Sequence, residues 1–301
     1  PTLVFDWSFG SLEMGELGVP DNTAAFSETL FKRMEAAGVQ VGIGRYNEAR
    51  LVYTGDQFNV PSEELPERRT VHLGIDLFQP AGSPVYAPLD GVIHSFANNK
   101  AYHDYGPVII LEHRVASGAG GKEQRAGSRG QGAEGEITFY TLYGHLSEDS
   151  LQGLVVGRPV KKGEQIGAIG NYPTNGDWPP HLHLQIICDL LGEGVDFNGV
   201  AAPSQRELWL SLSPDPNLLL QISPSVFPET GRSKTELLAA RRQNLGKSLS
   251  ISYKKPLKIV RGARQFLYDD EGRAYLDVVN NVCHVGHCHP RVVRAGQQQM
   301  A

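Results

Sequence analysis

Between Thr23 and Ala37 the apolar residues Phe26, Leu30 and Met34 recur at every fourth position. That spacing stacks side chains on one face of an α-helix, and Asn22 or Thr23 ahead of it supplies an N-cap. The rest of residues 1–70 alternates loop signals, apart from a strand-like stretch at Arg50–Thr54. From Val71 to Ile187 the pattern changes. VYAPLDGVIHSF, VIILEH, ITFYTLYGHL, EQIGAIG and HLHLQIIC are rich in β-branched or aromatic residues and bounded by Gly, Pro, Asn or Asp, which predicts short strands joined by turns. Ala116–Gly135 carries Gly, Ala and Ser with no apolar period, and reads as a mobile loop between two strands. Ala202–Pro228, with SLSPDPN and ISPSVFPE, reads as a linker with little regular structure. Thr235–Leu245 predicts a second helix. Beyond it LSISY, LKIVRG and QFLYDDEGRAYLD predict strands, with DDEG as a hairpin turn.

Composition adds constraints. The 301 residues allow two domains, and 40% hydrophobic with 20% charged residues is an ordinary globular balance. The 34 glycines and 19 prolines favour short strands and turns over long helices. A net charge of −5 with no long basic run argues against nucleic acid or an acidic membrane surface as partner. No apolar run approaches the ~20 residues that a membrane helix needs. The chain opens on Pro1 with no signal-like stretch and reads as a piece of something longer. Cys188, Cys283 and Cys288 give no disulfide framework, which implies reduced thiols and a cytoplasmic location.

Three short motifs carry chemistry. In His72-Leu-Gly-Ile-Asp76 an imidazole and a carboxylate, both good zinc ligands, share one face of an extended backbone, and Gly74 leaves room between them. Tyr143-Gly-His145-Leu ends a strand. In His181-Leu-His183 two imidazoles share a strand face while Leu182 and Leu184 take the other. Taken singly, each motif has an ordinary structural explanation, such as a hydrogen-bonded pair or a core histidine.

In this order, and within RTVHLGIDLFQPAGSPVYAPLDGVI, YTLYGHLS, VKKGEQIGAIG and PPHLHLQI, residues 69–190 resemble the M23 (lysostaphin-like) zinc metallopeptidases. The resemblance implies a mainly β fold: an antiparallel β-sheet metallopeptidase domain of the lysostaphin, duplicated-hybrid-motif type. A small α/β segment precedes it and an incomplete α/β tail follows. It implies Zn2+ on His72, Asp76 and His183, with His145 and His181 as unliganded catalytic histidines. Zinc with three protein ligands keeps a position for water, so the implied reaction is hydrolysis of an amide or peptide bond in a peptide or small amide substrate. The family has a Gly-Thr/Ser-rich lead into its second histidine pair. Here Asn175-Gly-Asp-Trp-Pro-Pro180 reshapes one wall of the cleft. Arg45, Asn47, Arg50 and Tyr143 are candidate substrate-binding residues. His94, His103 and His113 read as structural.

Residues 244–295 resemble the opening of class III PLP-dependent aminotransferases, through PLKIVRG, FLYDDEGRAYLD and GHCHP. That family's cofactor lysine, aspartate and phosphate loop lie in a large domain beyond this stretch, so PLP is expected only with a complete aminotransferase domain. Dimerisation would run through that part of a full-length protein. Cys283, His284, His287, Cys288 and His289 offer a rival reading as a second zinc site, although a turn into a helix accounts for Gly286 and Pro290. The expected division is 1–68, an α/β segment; 69–201, the hydrolase; 202–235, a linker; and 236–301, the aminotransferase-like segment. The alternative function is a binding module that keeps the M23 fold without catalysis, attached to an aminotransferase whose PLP chemistry is the main activity.

Overall fold

The computed structural model describes residues 2–11, 22–61, 67–116, 135–229, 231–246, 248–251, 254–278 and 285–300. Its centre is an eight-stranded sheet. In chain order the strands are β1 (Thr2–Phe5), β2 (Val41–Gly44), β3 (Ile75–Phe78), β4 (Gly91–Asn99), β5 (Gly106–Ala116), β6 (Glu136–Gly144), β7 (Pro159–Val160) and β8 (His181–Ile187). Their spatial order is β1-β2-β3-β8-β6-β5-β4-β7, antiparallel except for β1 beside β2. The fold is mainly β, as expected. Short pairs flank the sheet, Val71–His72 with Val200–Ala201 and Pro84–Tyr86 with Gln165–Ala168.

Both faces of the sheet are covered. In β5, Ile109, Ile110 and Leu111 are all 0% exposed, so neither face meets solvent at the centre of that strand. One face carries Val85, Ile93, Ile109, Leu111, Leu182 and Leu184; the other carries Val108, Ile110, Leu142, Ile187 and Phe197. The helix α1 (Thr23–Ala36) is capped by Asn22, whose side chain accepts from the Ala24 and Ala25 amides. It lays Phe26, Leu30 and Met34 against Phe5, Trp7 and Phe78.

Four expectations need correction. Arg50–Thr54 forms no strand: Ala49 and Arg50 make isolated bridges to Val71 and Ser8, and the chain then turns. β1 and β2, which carried no readable strand signal, add two strands to the sheet. The linker region holds two short helices, α2 (Arg206–Leu212) and α3 (Asn217–Leu220), and Trp209 of α2 packs edge-on against Phe197. LSISY makes no strand among its described residues.

The second predicted helix is α4 (Lys234–Asn244), started by a Ser233/Glu236 capping box. A three-stranded sheet follows, β9 (Ile259–Ala263), β10 (Phe266–Asp269) and β11 (Ala274–Leu276), with DDEG at the β10–β11 turn, and then α5 (Pro290–Met300). It rests on the N-terminal segment through Phe9 stacked on Tyr268 and Arg261 donating to the Phe9 carbonyl. The predicted loop at 116–135 lies almost wholly outside the described residues. No described helix is long and apolar enough to cross a membrane.

Candidate metal centre

His72 and Asp76 do not sit on one continuous strand. The backbone bends at Gly74, leaving His72 paired with Val200 and Asp76 paired across the sheet with His183. The bend brings three atoms to a focus. His72 Nε2 lies 2.9 Å from His183 Nδ1 and 3.2 Å from Asp76 Oδ1, and His183 Nδ1 lies 3.3 Å from the same oxygen. All three residues are buried.

Hydrogen bonds fix which ring nitrogens are free. His72 Nδ1–H donates to the Arg45 carbonyl at 2.8 Å, which leaves Nε2 a bare lone pair. His183 Nε2–H donates to Gln185 Oε1 at 3.1 Å, which leaves Nδ1 bare. Two imidazole lone pairs and a carboxylate oxygen therefore face one point, an arrangement that repels itself unless a cation sits between them. A tetrahedral zinc with bonds of about 2.0–2.1 Å sets ligand-to-ligand edges of roughly 3.3 Å, close to the spacing observed, and the outer hydrogen bonds orient the rings as metal-bound imidazoles require. Burial and the Arg50 charge push His72 down to about 3, so it is neutral at pH 7. Burial alone would raise Asp76, but its positive surroundings, with the Arg50 guanidinium 2.6 Å away, outweigh it and hold the carboxyl well below its ordinary value. The donors fit a divalent ion such as zinc.

Gly74 is required by this packing. A Cβ there would lie 2.5 Å from His183 Cε1 and 2.7 Å from the Leu184 carbonyl oxygen. Gly74→Ala is expected to push His183 off Gln185, weakening metal affinity ~10- to 100-fold and costing about 1–3 kcal/mol of stability. Chelator competition and thermal unfolding measure the two, and unchanged zinc affinity would contradict this packing.

Behind Asp76 lies a buried charge chain. Arg50, 1% exposed, donates to Asp76 Oδ2 at 2.6 Å, Glu48 Oε2 at 2.9 Å and the Arg45 carbonyl at 2.9 Å. Burial pushes Glu48 up to about 7, against the pull of Arg50. Gly44 gives this contact its space, since a Cβ there would lie 2.8 Å from both Arg50 Nη2 and Asp76 Oδ2.

The substrate-binding candidates have structural partners of their own. Arg50 reaches the cleft, but its guanidinium is committed to two carboxylates and positions Asp76. Arg45 donates to the Pro228 carbonyl, and Asn47 holds Arg206 through its side chain and carbonyl. Neither lines the cleft. Tyr143, one position out of register with the His183 face, points into the core beside Leu182 and Leu184, with its hydroxyl 2.9 Å from Thr141 Oγ1.

His145 and His181 adjoin the focus. Their rings are 4.4 Å apart, and His181 Nε2 is 3.6 Å from Asp76 Oδ1. The 175–180 loop orients both: His145 Nδ1 donates to the Asn175 carbonyl at 2.8 Å and His181 Nδ1 to the Pro179 carbonyl at 2.6 Å. Each Nε2 is then left as the basic nitrogen. Burial lowers both rings' pKa, and the neighbouring histidines add to the lowering at each. His145 holds a left-handed backbone, φ 62°, uncommon outside glycine and often a mark of functional sites.

The five residues line a cleft of about 270 Å³. Tyr105, Asn175 and Gln185, absent from the sequence-based candidates, shape the site. Tyr105 packs 5.4 Å from the His183 ring, and fully buried Asn175 ties its loop to Gly170 and Trp178. Gln185 was legible, two positions after His183 on the same strand face. His103, read from the sequence as structural, lines the cleft, stacked between Tyr102 and Trp178. His113 is structural, bonded to the Asp90 carbonyl and Thr141. Of the tail cluster, Cys283 and His284 lie outside the described residues, and His287 pairs with Asp277 at 2.8 Å. Among the described residues, His72, Asp76 and His183 are the only group gathered closely enough to hold an ion.

Comparison with known proteins returns two separate likenesses. The chain is 33% identical over 164 residues to the DD-carboxypeptidase/endopeptidase Mpg of Neisseria meningitidis, covering 54% of this chain and 30% of that protein. It is 57% identical over 70 residues to an alanine–glyoxylate aminotransferase 2-like protein of Drosophila melanogaster, covering 23% of this chain and 14% of that one. The chain resembles an M23 peptidase and, in a separate segment, a class III aminotransferase. It spans under a third of the length of either relative. Among solved structures, the lysostaphin catalytic domain of Staphylococcus simulans is 23% identical over 51% of this chain and 81% of that one, at a TM-score of 0.31. No family model matches.

Proposed function

We propose that the chain is a zinc-dependent peptidase that hydrolyses an amide bond with activated water. One observation carries this reading: three lone-pair atoms converge on a point beside two histidines whose Nε2 atoms remain free. His72, Asp76 and His183 would hold the ion. Zinc at such a centre lowers the pKa of a bound water to about 7 and polarises a carbonyl. His145 and His181, neutral at pH 7 and fixed by their Nδ1 bonds, take the proton from water and return it to the leaving amine. Once protonated, the same rings donate hydrogen bonds to the oxyanion. The likeness to Mpg supports peptide as the substrate class.

We also propose that this hydrolase is one part of a larger fusion with an aminotransferase, a reading that 57% identity over 70 residues supports. PLP and dimerisation belong to a complete aminotransferase domain. The test measures metal by elemental analysis and amine release from short peptides before and after chelation. The reading expects about one zinc per chain and hydrolysis that chelator removes and zinc restores. Zinc binding without amine release would favour the binding module, and hydrolysis indifferent to chelator would refute the mechanism.

A further inference from the structure

The mechanism leaves one cation in the cleft unused. Arg69 lines the same cavity as the three-atom focus, three residues ahead of His72. Its guanidinium is held from two sides, donating to Asn198 Oδ1 and, at 2.7 Å, to the Gln57 carbonyl, and it lies over the Phe58 ring, 5.9 Å from its centroid. Both partners are neutral, and no described carboxylate is ion-paired with it. Burial pushes its pKa down from the ordinary arginine range, which starts so high that the group stays charged. Asp104 also lines the cleft and its charge acts on Arg69, but from beyond ion-pair distance, and its Oδ1 accepts from the Tyr105 amide at 2.6 Å. Asp196 lines the cleft as well and accepts from Asn99.

A half-buried guanidinium with neutral partners is a pre-oriented donor fork. Two contacts on different nitrogens and an aromatic surface hold it in place before any ligand arrives, and a carboxylate is the anion its planar geometry matches best. Resting on the peptidase reading above, we infer that Arg69 binds the C-terminal carboxylate of a peptide substrate, so that the cleft favours cleavage close to a free C-terminus. A purely structural clamp between Gln57 and Asn198 accounts for the two hydrogen bonds. It does not account for a charged residue where a neutral amide would make the same bonds without the desolvation cost.

The test uses three probes on the zinc-loaded protein: N-acetyl-trialanine, its C-terminal amide, and the amide of N-acetyl-Ala-Ala-Glu, which carries the same anion on a side chain. D- and L-alanine series are run in parallel. Binding by calorimetry and, separately, amine release are measured for wild type, Arg69→Gln and Arg69→Lys. A charge-assisted pair in a partly dry cleft predicts that the free acid binds ~10- to 100-fold more tightly than the amide in at least one series. In Arg69→Gln the ratio should fall to near one, and in Arg69→Lys it should be intermediate. Equal affinities for acid and amide in wild type, or no binding of either, overturn the inference, as does a preference for the glutamate amide over the free terminus. So does an Arg69→Gln variant that weakens acid and amide equally, the mark of a clamp. Failure of the peptidase reading looks different: the acid-over-amide binding ratio persists, is lost in Arg69→Gln, and no peptide is cleaved.

Discussion

His72→Ala, Asp76→Ala and His183→Ala are each expected to lose bound zinc and all chelator-sensitive hydrolysis. Two ligands cannot hold the ion against water and buffer, and the lone pairs that remain no longer converge. The three variants should differ in stability for a reason visible in the charge chain. Removing Asp76 leaves the buried Arg50 guanidinium with Glu48 as its one remaining carboxylate among the described residues, a loss of the kind that costs about 3–5 kcal/mol. At ~2–4 °C per kcal/mol for a chain of this size, the thermal midpoint of metal-free Asp76→Ala should fall by roughly 10 °C. His72→Ala and His183→Ala should fall less, because they leave the buried Arg50–Asp76 pair intact. Asp76→Asn, which keeps an acceptor for Arg50, should recover part of the stability and none of the zinc. The assignment fails if zinc stays stoichiometric in all three alanine variants, and the charge-chain argument fails if the metal-free midpoints coincide.

His145→Ala and His181→Ala are expected to keep zinc and lose turnover by ~100- to 10,000-fold, the usual worth of a positioned acid or base. KM should change little if the groups act mainly in the transition state, and the double variant should lose less than the product of the single losses, because the rings share one proton path. Backbone geometry adds a control. His145 sits at φ 62°, where a Cβ is strained and glycine is not. His145→Gly should therefore be more stable than His145→Ala by up to about 1 kcal/mol while being equally inactive. A histidine with a merely structural role would show the reverse, lowered midpoints with turnover per folded molecule intact. Near wild-type rates in both single variants would end the mechanism proposed for them.

The sequence made the centre legible where chemistry and periodicity coincide. Alternation along β8 places His181, His183 and Gln185 on one face and Leu182 and Leu184 on the other, and the structure has that arrangement. The same rule, applied to β6, would have sent Tyr143 to the core with those leucines. Residues that act through backbone atoms were invisible: the carbonyls of Arg45, Asn175 and Pro179 set three tautomers, and a carbonyl has no letter of its own. β1 and β2 escaped notice because four residues apiece, with two glycines in β2, carry too little pattern. Arg50 was picked out as a candidate for a substrate carboxylate, but Asp76, the carboxylate it serves, is brought to it only by the pairing of β2 with β3. α2 was hidden by the Ser- and Pro-rich text on either side of it.

The pairing of β2 with β3 also limits how this hydrolase can be moved between proteins. The text that looks like a peptidase begins at Arg69, so that is where a recombination event or a cloning primer would tend to cut. A cut there would strip β3 of its outer neighbour and expose its backbone as a sticky edge. It would also remove Arg50, Glu48 and the carbonyl that steers His72, leaving Asp76 buried without its counter-charge. A unit that travels intact therefore includes both Thr2–Phe5 and residues 41–50, an inseparable cradle for ligands encoded later in the chain.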